Sequence, residues 1–144
     1  MNIIIRLCAA EDTIFIHRLN KYEMGYDFPF TETEKQLLDI ISRGTDRIFV
    51  AESDGEVIGY VHACDYQLLY SEPMKNIMGI AVDSRYKRRG VGSMLLKAVE
   101  DWAARSGAQA VRLTSGEERA EAHEFYKACG YCCGKKQLNF RKTV

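Results

Sequence analysis

Ile80-Ala81-Val82-Asp83-Ser84-Arg85-Tyr86-Lys87-Arg88-Arg89-Gly90-Val91-Gly92-Ser93 is the stretch on which the reading of this chain turns. It closes an unbroken apolar run, Ile77 to Val82, of the kind that forms a strand buried on both faces. A basic loop follows, and Gly90 begins a long helix whose buried stripe is Val91, Leu95, Ala98 and Trp102. Gly107 supplies its C-cap, and Ala110 to Thr114 is the next strand. Strand, helix, strand in this order is a parallel βαβ unit with a right-handed crossover. The first N–H groups of a helix lack intrahelical partners, and its dipole favours negative charge there. Glycines let the backbone approach a phosphate closely, and Lys87, Arg88 and Arg89 add charge, so a pyrophosphate suits the loop. The bland alternatives are a solvated loop or a nucleic-acid patch. The second lacks an aromatic stacking platform or a groove-reading helix. Ser84 and Ser93 either touch phosphates or simply start a helix.

Three phosphate-binding patterns compete. A Walker A loop needs Lys and Ser/Thr after its last glycine, and Gly92 is followed by Ser93-Met94. A dinucleotide fingerprint needs a third glycine where Leu95 stands. The third pattern is a basic residue, two spacers, Gly, any residue, Gly, and Lys87-Arg88-Arg89-Gly90-Val91-Gly92 meets it. Here the chain resembles the GNAT N-acetyltransferase superfamily, in which such a loop binds the pyrophosphate of coenzyme A through backbone amides. The family usually has Arg or Gln at the position of Lys87. A second block agrees: Leu113-Thr114-Ser115-Gly116, then Arg119, Ala122-His123, Phe125-Tyr126 and Gly130-Tyr131. The resemblance covers essentially the whole chain, most strongly Ile77 to Tyr131.

The resemblance implies an acetyl-CoA-dependent N-acetyltransferase that transfers an acetyl group to a primary amine of a small molecule or peptide, by direct attack in a ternary complex. It implies that Ile80, Ala81 and Val82 offer backbone N–H groups to the pantetheine arm and the thioester carbonyl. By the same resemblance Lys87, Arg88, Arg89, Gly90, Val91, Gly92 and Ser93 hold the pyrophosphate, Arg119 and His123 also belong to the coenzyme A site, and Tyr126 is the general acid. Read without it, Ile80 to Val82 is an ordinary buried strand and Tyr126 a core aromatic. The Glu that many members carry on the fourth strand is absent from Ile77-Met78-Gly79-Ile80, which leaves water, Glu72, Asp65 or His62 to accept the proton. A non-catalytic acyl-CoA-binding or sensing domain is therefore the alternative. The resemblance also implies an acceptor pocket among Tyr22, Glu23, Tyr26, Asp27, Phe28, Tyr66 and Tyr70, residues that suit a cationic or aromatic amine. A homodimer is common in the family.

Outward from this segment, Ile3 to Leu7 reads as a first strand. Phe15, Leu19 and Tyr22 mark a helix from Glu11 to Tyr22, and Gly25 to Phe30 is a turn-rich loop. Thr31 and Glu34 form a capping box for a second helix through Ile41. Asp54-Gly55 turns a hairpin between Ile48–Ala51 and Glu56–Tyr66. Gln67 to Lys75 is loop, Arg119 to Cys129 a fourth helix, and Tyr131–Gly134 and Gln137–Arg141 two short last strands. The expected order is βααβββαβαββ: a mixed α/β sheet with helices on both faces, the GNAT fold.

At 144 residues the chain, 1–144, reads as one domain. Lys plus Arg equals Asp plus Glu, so no net charge draws it to nucleic acid or an anionic membrane. The N-terminus has no signal-peptide pattern and no apolar run is long enough to span a bilayer, which suggests the cytoplasm. The five cysteines are no disulfide framework, and Cys129 and Cys132 lack a second ligand pair, so no metal is expected.

Overall fold

The computed structural model describes residues 2–144. They form two compact units, one up to Leu113 and one from Thr114 to Val144. The first contains β1 (Ile4–Leu7), α1 (Thr13–Tyr22), α2 (Phe30–Ile41), β2 (Asp46–Ser53), β3 (Glu56–Tyr66), β4 (Met74–Val82), α3 (Val91–Arg105) and β5 (Ala110–Arg112). The second contains α4 (Ala120–Ala128).

Asp54 and Gly55 both take positive φ, 51° and 79°, as a two-residue hairpin turn demands. The turn starts the antiparallel β2–β3 ladder at Ser53↔Glu56. One residue later the register shifts, so Ala51 faces Gly59 instead of Ile58. This bulge sets which side chains share a face further along. The sheet runs β1-β2-β3-β4-β5, antiparallel except for the parallel pair β4/β5 that the α3 crossover requires.

Helices cover both faces. On one, Ile16 and Leu19 of α1 and Leu37 of α2 pack with Ile48, Val50, Tyr60 and Ala81. On the other lies α3, whose Val91, Leu95, Leu96 and Val99 are fully buried. Each such side chain contributes about 1.5–3 kcal/mol. Gly59 permits the close approach. A Cβ there would lie 3.1 Å from the Ala81 carbonyl oxygen and 3.3 Å from both Val91 Cγ1 and Leu95 Cδ1. The chain entering α1 is held by a charged cluster. Arg6 donates to both carboxylate oxygens of Asp12, at 2.8 and 2.9 Å, and to Glu52 at 2.9 Å, while the Ala9 amide also donates to Asp12.

Two expectations are corrected. The Thr31–Glu34 capping box does not form, because α2 begins earlier, with Pro29 at its N-cap. The Pro29 carbonyl accepts from the Thr33 amide and hydroxyl, both at 2.9 Å, and the Phe30 ring packs edge-on against His17. The strands expected at Tyr131–Gly134 and Gln137–Arg141 are absent, so the order ends βααβββαβα. Leu138 and Phe140 keep a strand's alternation, but no neighbouring strand pairs with that backbone, and both side chains are exposed.

Candidate active site

β4 is the frame. Its parallel pairing with β5 covers only Met74↔Ala110, Lys75↔Val111 and Asn76↔Arg112. From Ile77 to Val82 it has β3 on one side and, among the described residues, no strand on the other. On the β3 side Asp83 donates to the Ile58 carbonyl, and the register runs Ala81↔Tyr60 and Gly79↔His62. Antiparallel partners alternate between hydrogen-bonded and non-bonded pairs. The amides of Asp83, Ala81 and Gly79 therefore point toward β3, and those of Ile80 and Val82 toward the open edge. Of the three expected donors, two face that edge and Ala81 does not.

After β4, Ser84–Tyr86 make a single 3-10 turn capped by Asp83, whose side chain accepts from the Arg85 amide at 2.9 Å and from the Arg85 guanidinium. That guanidinium holds the Asp83 carboxyl below the usual carboxylate range despite partial burial. Arg85 and Arg89 both lie over the Tyr86 ring, at 5.8 and 5.6 Å. Arg88 (φ 64°) and Gly90 (φ 78°) are left-handed. For Arg88 that conformation costs free energy and is rare. Alternating left-handed residues turn the backbone so that its N–H groups converge. The helix α3 then starts with no side-chain cap, and a Cβ on Gly90 would meet only Ser93 Oγ at 3.8 Å. The Ser93 hydroxyl donates to the Gly90 carbonyl. Lys87, Arg88 and Arg89 are exposed around this concave start. The donor set fits a pyrophosphate: converging amides, a helix N-terminus and flanking cations.

On the α1 side, Glu23 accepts from the Ser84 amide at 3.0 Å and so ties the end of α1 to the exit of β4. A cleft of mixed charge opens there between Arg18, Tyr22, Glu23, Asp83 and Arg85. Tyr26, Asp27, Phe28 and Tyr70 are exposed, whereas Tyr66 stacks under the Arg112 guanidinium at 4.3 Å. Of the three side chains considered as proton acceptors, Glu72 is exposed in the loop before β4 and Asp65 is paired with Lys75 at 2.5 Å. His62 Nε2 lies 2.7 Å from Asp46 Oδ2, both largely shielded from solvent. Sequence reading missed Asp46, since only the shifted register puts it on the face of His62.

In the second unit, Arg119 precedes α4 and His123 Nε2 sits 2.8 Å from the Gly116 carbonyl, holding the loop before the helix. His123 therefore carries its proton on Nε2 there. Tyr126 is half-buried between the rings of Phe125 and Tyr131. Burial pushes its hydroxyl up, with the nearby Arg119 charge pulling the other way, so it stays protonated at neutral pH. Among the described residues no three His, Cys, Asp or Glu side chains come together as a metal site, and no helix is long and apolar enough to cross a membrane.

Comparison with known proteins agrees with this geometry. The Acetyltransferase (GNAT) family matches residues 12–131. The chain belongs to this family. An aminoglycoside N(6')-acetyltransferase type 1 from Stenotrophomonas maltophilia is 29% identical over 123 residues, 82% of this chain and 78% of its own length. An uncharacterised N-acetyltransferase from Methanocaldococcus jannaschii is 33% identical over 95 residues, 64% of this chain. That match spans 42% of the archaeal relative's own length. Among solved structures, AAC(6')-Iy, in complex with the bisubstrate analogue CoA-S-monomethyl-acetylneamine, superposes with a TM-score of 0.89 at 21% identity, over 100% of both chains. This GNAT chain shares the fold of that enzyme.

Proposed function

We propose that the chain is a one-domain, acetyl-CoA-dependent N-acetyltransferase that acts on a primary amine of a small molecule or peptide. The observation that carries this reading is the doubly left-handed turn at Arg88 and Gly90 opening an uncapped α3 directly after a half-unpaired β4. The family match across 12–131 spans both compact units and supports their acting as one domain. Two relatives named above are aminoglycoside acetyltransferases, whose acceptors are amines. They support a small amine acceptor, as do the exposed aromatics Tyr26 and Phe28 and the exposed Asp27 between α1 and α2.

Bound acetyl-CoA supplies an activated acetyl group as a thioester. The amides of Val91, Gly92 and Ser93, with Lys87, Arg88 and Arg89, bind the pyrophosphate. The Ile80 and Val82 amides would hold the pantetheine arm and could donate to a thioester oxygen that gains charge. Tyr126 holds the proton for the departing sulfur. Arg119 and His123 fix the approach to α4, His123 through the Gly116 carbonyl.

Thermal unfolding with and without acetyl-CoA tests the proposal. Ligand at about a hundred times its Kd adds roughly 2.7 kcal/mol of stability. Gly92→Glu puts a carboxylate where the pyrophosphate would lie. The wild type should melt higher with ligand and the folded variant should not. No shift at millimolar acetyl-CoA would refute the site. The second reading, an acyl-CoA sensor without chemistry, is favoured by the lack of any carboxylate on β4, where Met78 stands exposed at the strand's irregularity. Release of free thiol in the presence of amines separates the two.

A further inference from the structure

The transfer needs a neutral amine, and β4 offers no carboxylate to make one. We propose that His62 is the proton acceptor for the amine and that Asp46 is its positioning residue, an inference that rests on the transferase reading. His62 lies directly opposite Gly79, on the sheet face that carries Tyr60, Ile48 and Val50 beneath α1 and α2. The β3–β4 register shifts immediately after this pair, at Met78. Gly79 has no side chain to fill the space beside the imidazole. A Cβ there would meet only Met24 Cε at 3.7 Å and the Tyr60 hydroxyl at 3.9 Å. The next residue, Ile80, points its amide to the open edge of β4. A proton acceptor and an oxyanion donor thus stand on neighbouring registers of one strand pair.

Asp46 fixes the chemistry of the ring. Its carboxyl is buried, which pushes it up, yet His62, Thr45 and nearby charge hold it below the usual range. An ionised Asp46 can only accept, so the proton of the pair sits on His62 Nε2, and Nδ1 is the nitrogen left to take a proton in the neutral ring. An N–H bond of the substrate ammonium breaks and its proton goes to Nδ1, directly or through one water. The freed nitrogen pair forms the C–N bond at the acetyl carbon as the C–S bond breaks. The Tyr126 proton goes to sulfur, the second amine proton returns to the Tyr126 oxygen, and the imidazolium releases its proton to solvent. Asp65 cannot do this work, because its carboxylate is held by Lys75, which itself stacks on Trp102 at 4.0 Å.

Acetyl transfer to neamine, spermidine, aminoethylphosphonate and a lysine peptide is first measured for the wild type by thiol release. A wild type that binds acetyl-CoA and acetylates none of them overturns the transferase reading, and His62 falls with it before any variant is made. With a working acceptor, His62→Gln keeps a donor toward Asp46 and removes the base. It should lose about a hundredfold or more in kcat, while its acetyl-CoA-dependent melting shift stays intact. His62→Ala should lose as much and regain part on adding free imidazole. Asp46→Asn should lower kcat with KM for acetyl-CoA unchanged, and Asp46→Glu should recover part of the loss. A His62→Gln that melts like the wild type and turns over within about threefold of it, a factor worth less than 1 kcal/mol, overturns the assignment. So does a loss in His62→Ala that imidazole leaves untouched.

Discussion

Tyr126 is where one side chain has the most to explain. Its hydroxyl is kept protonated by burial against Phe125 and Tyr131, which suits a donor and not a base. Tyr126→Phe removes the proton and little of the packing. It should lower kcat by about tenfold or more with KM for acetyl-CoA nearly constant, read by thiol release. Equal turnover would place Tyr126 in the core alone. Much of this scale was legible in the sequence. The spacing of Lys87, Gly90 and Gly92 announced a glycine turn opening a helix, which the left-handed Gly90 before α3 bears out, whereas the role of Tyr126 came from the family resemblance alone. Glu23 was not legible in its role. It reads as an acceptor-pocket carboxylate, and the structure commits it to the Ser84 amide. A long-range hydrogen bond to a backbone amide leaves no pattern in the chain.

At the scale of elements, the contact between α3 and the sheet decides where the anion loop points. Gly59 is the pivot. Gly59→Ala drives a methyl group into Val91, Leu95 and the Ala81 carbonyl, and should destabilise by about 1–3 kcal/mol in urea unfolding. Gly44→Ala, with open space around it and no left-handed backbone, serves as the neutral comparison. An undisturbed Gly59→Ala would mean that α3 can move away from β3 freely. Element order was readable through α4, because apolar period and glycine punctuation change together at each boundary. Register was not. Counting back from the Asp54-Gly55 turn places Arg47 opposite His62 and sends Asp46 to the other face. The one-residue shift beside Ala51 reverses this and puts Ile48 opposite His62 and Asp46 opposite Cys64. The same limit explains the last two strands: alternation at Leu138 and Phe140 is a property of the segment, whereas a strand also needs a partner.

For the molecule as a whole, the buried carboxylates predict an acid limit. Burial pushes the Asp12 carboxyl up, but Arg6 and the Ala9 amide more than offset it, and Asp46 is lowered in the same way by His62. A carboxyl whose folded pKa is depressed stabilises the fold above its unfolded pKa, about 3.9. That stability is lost as pH falls through the lower folded value. The urea midpoint should therefore hold from neutral pH to about 5 and drop below about 4. Asp12→Asn should start lower by about 1–3 kcal/mol and show a shallower acid decline. An unchanged acid limb in Asp12→Asn would remove this cluster from the account.

The half-unpaired β4 has a colloidal side. A strand edge with free amides is a template for another chain, and proteins cover such edges or charge them. Here the segment Ile77 to Val82 is apolar throughout, apart from a glycine, and carries no charge. On the proposed reading, a pantetheine arm along it would act as the missing neighbour of the sheet. The donor is then also a solubilising ligand, and concentrated preparations should be stored with coenzyme A to hold off edge-to-edge association.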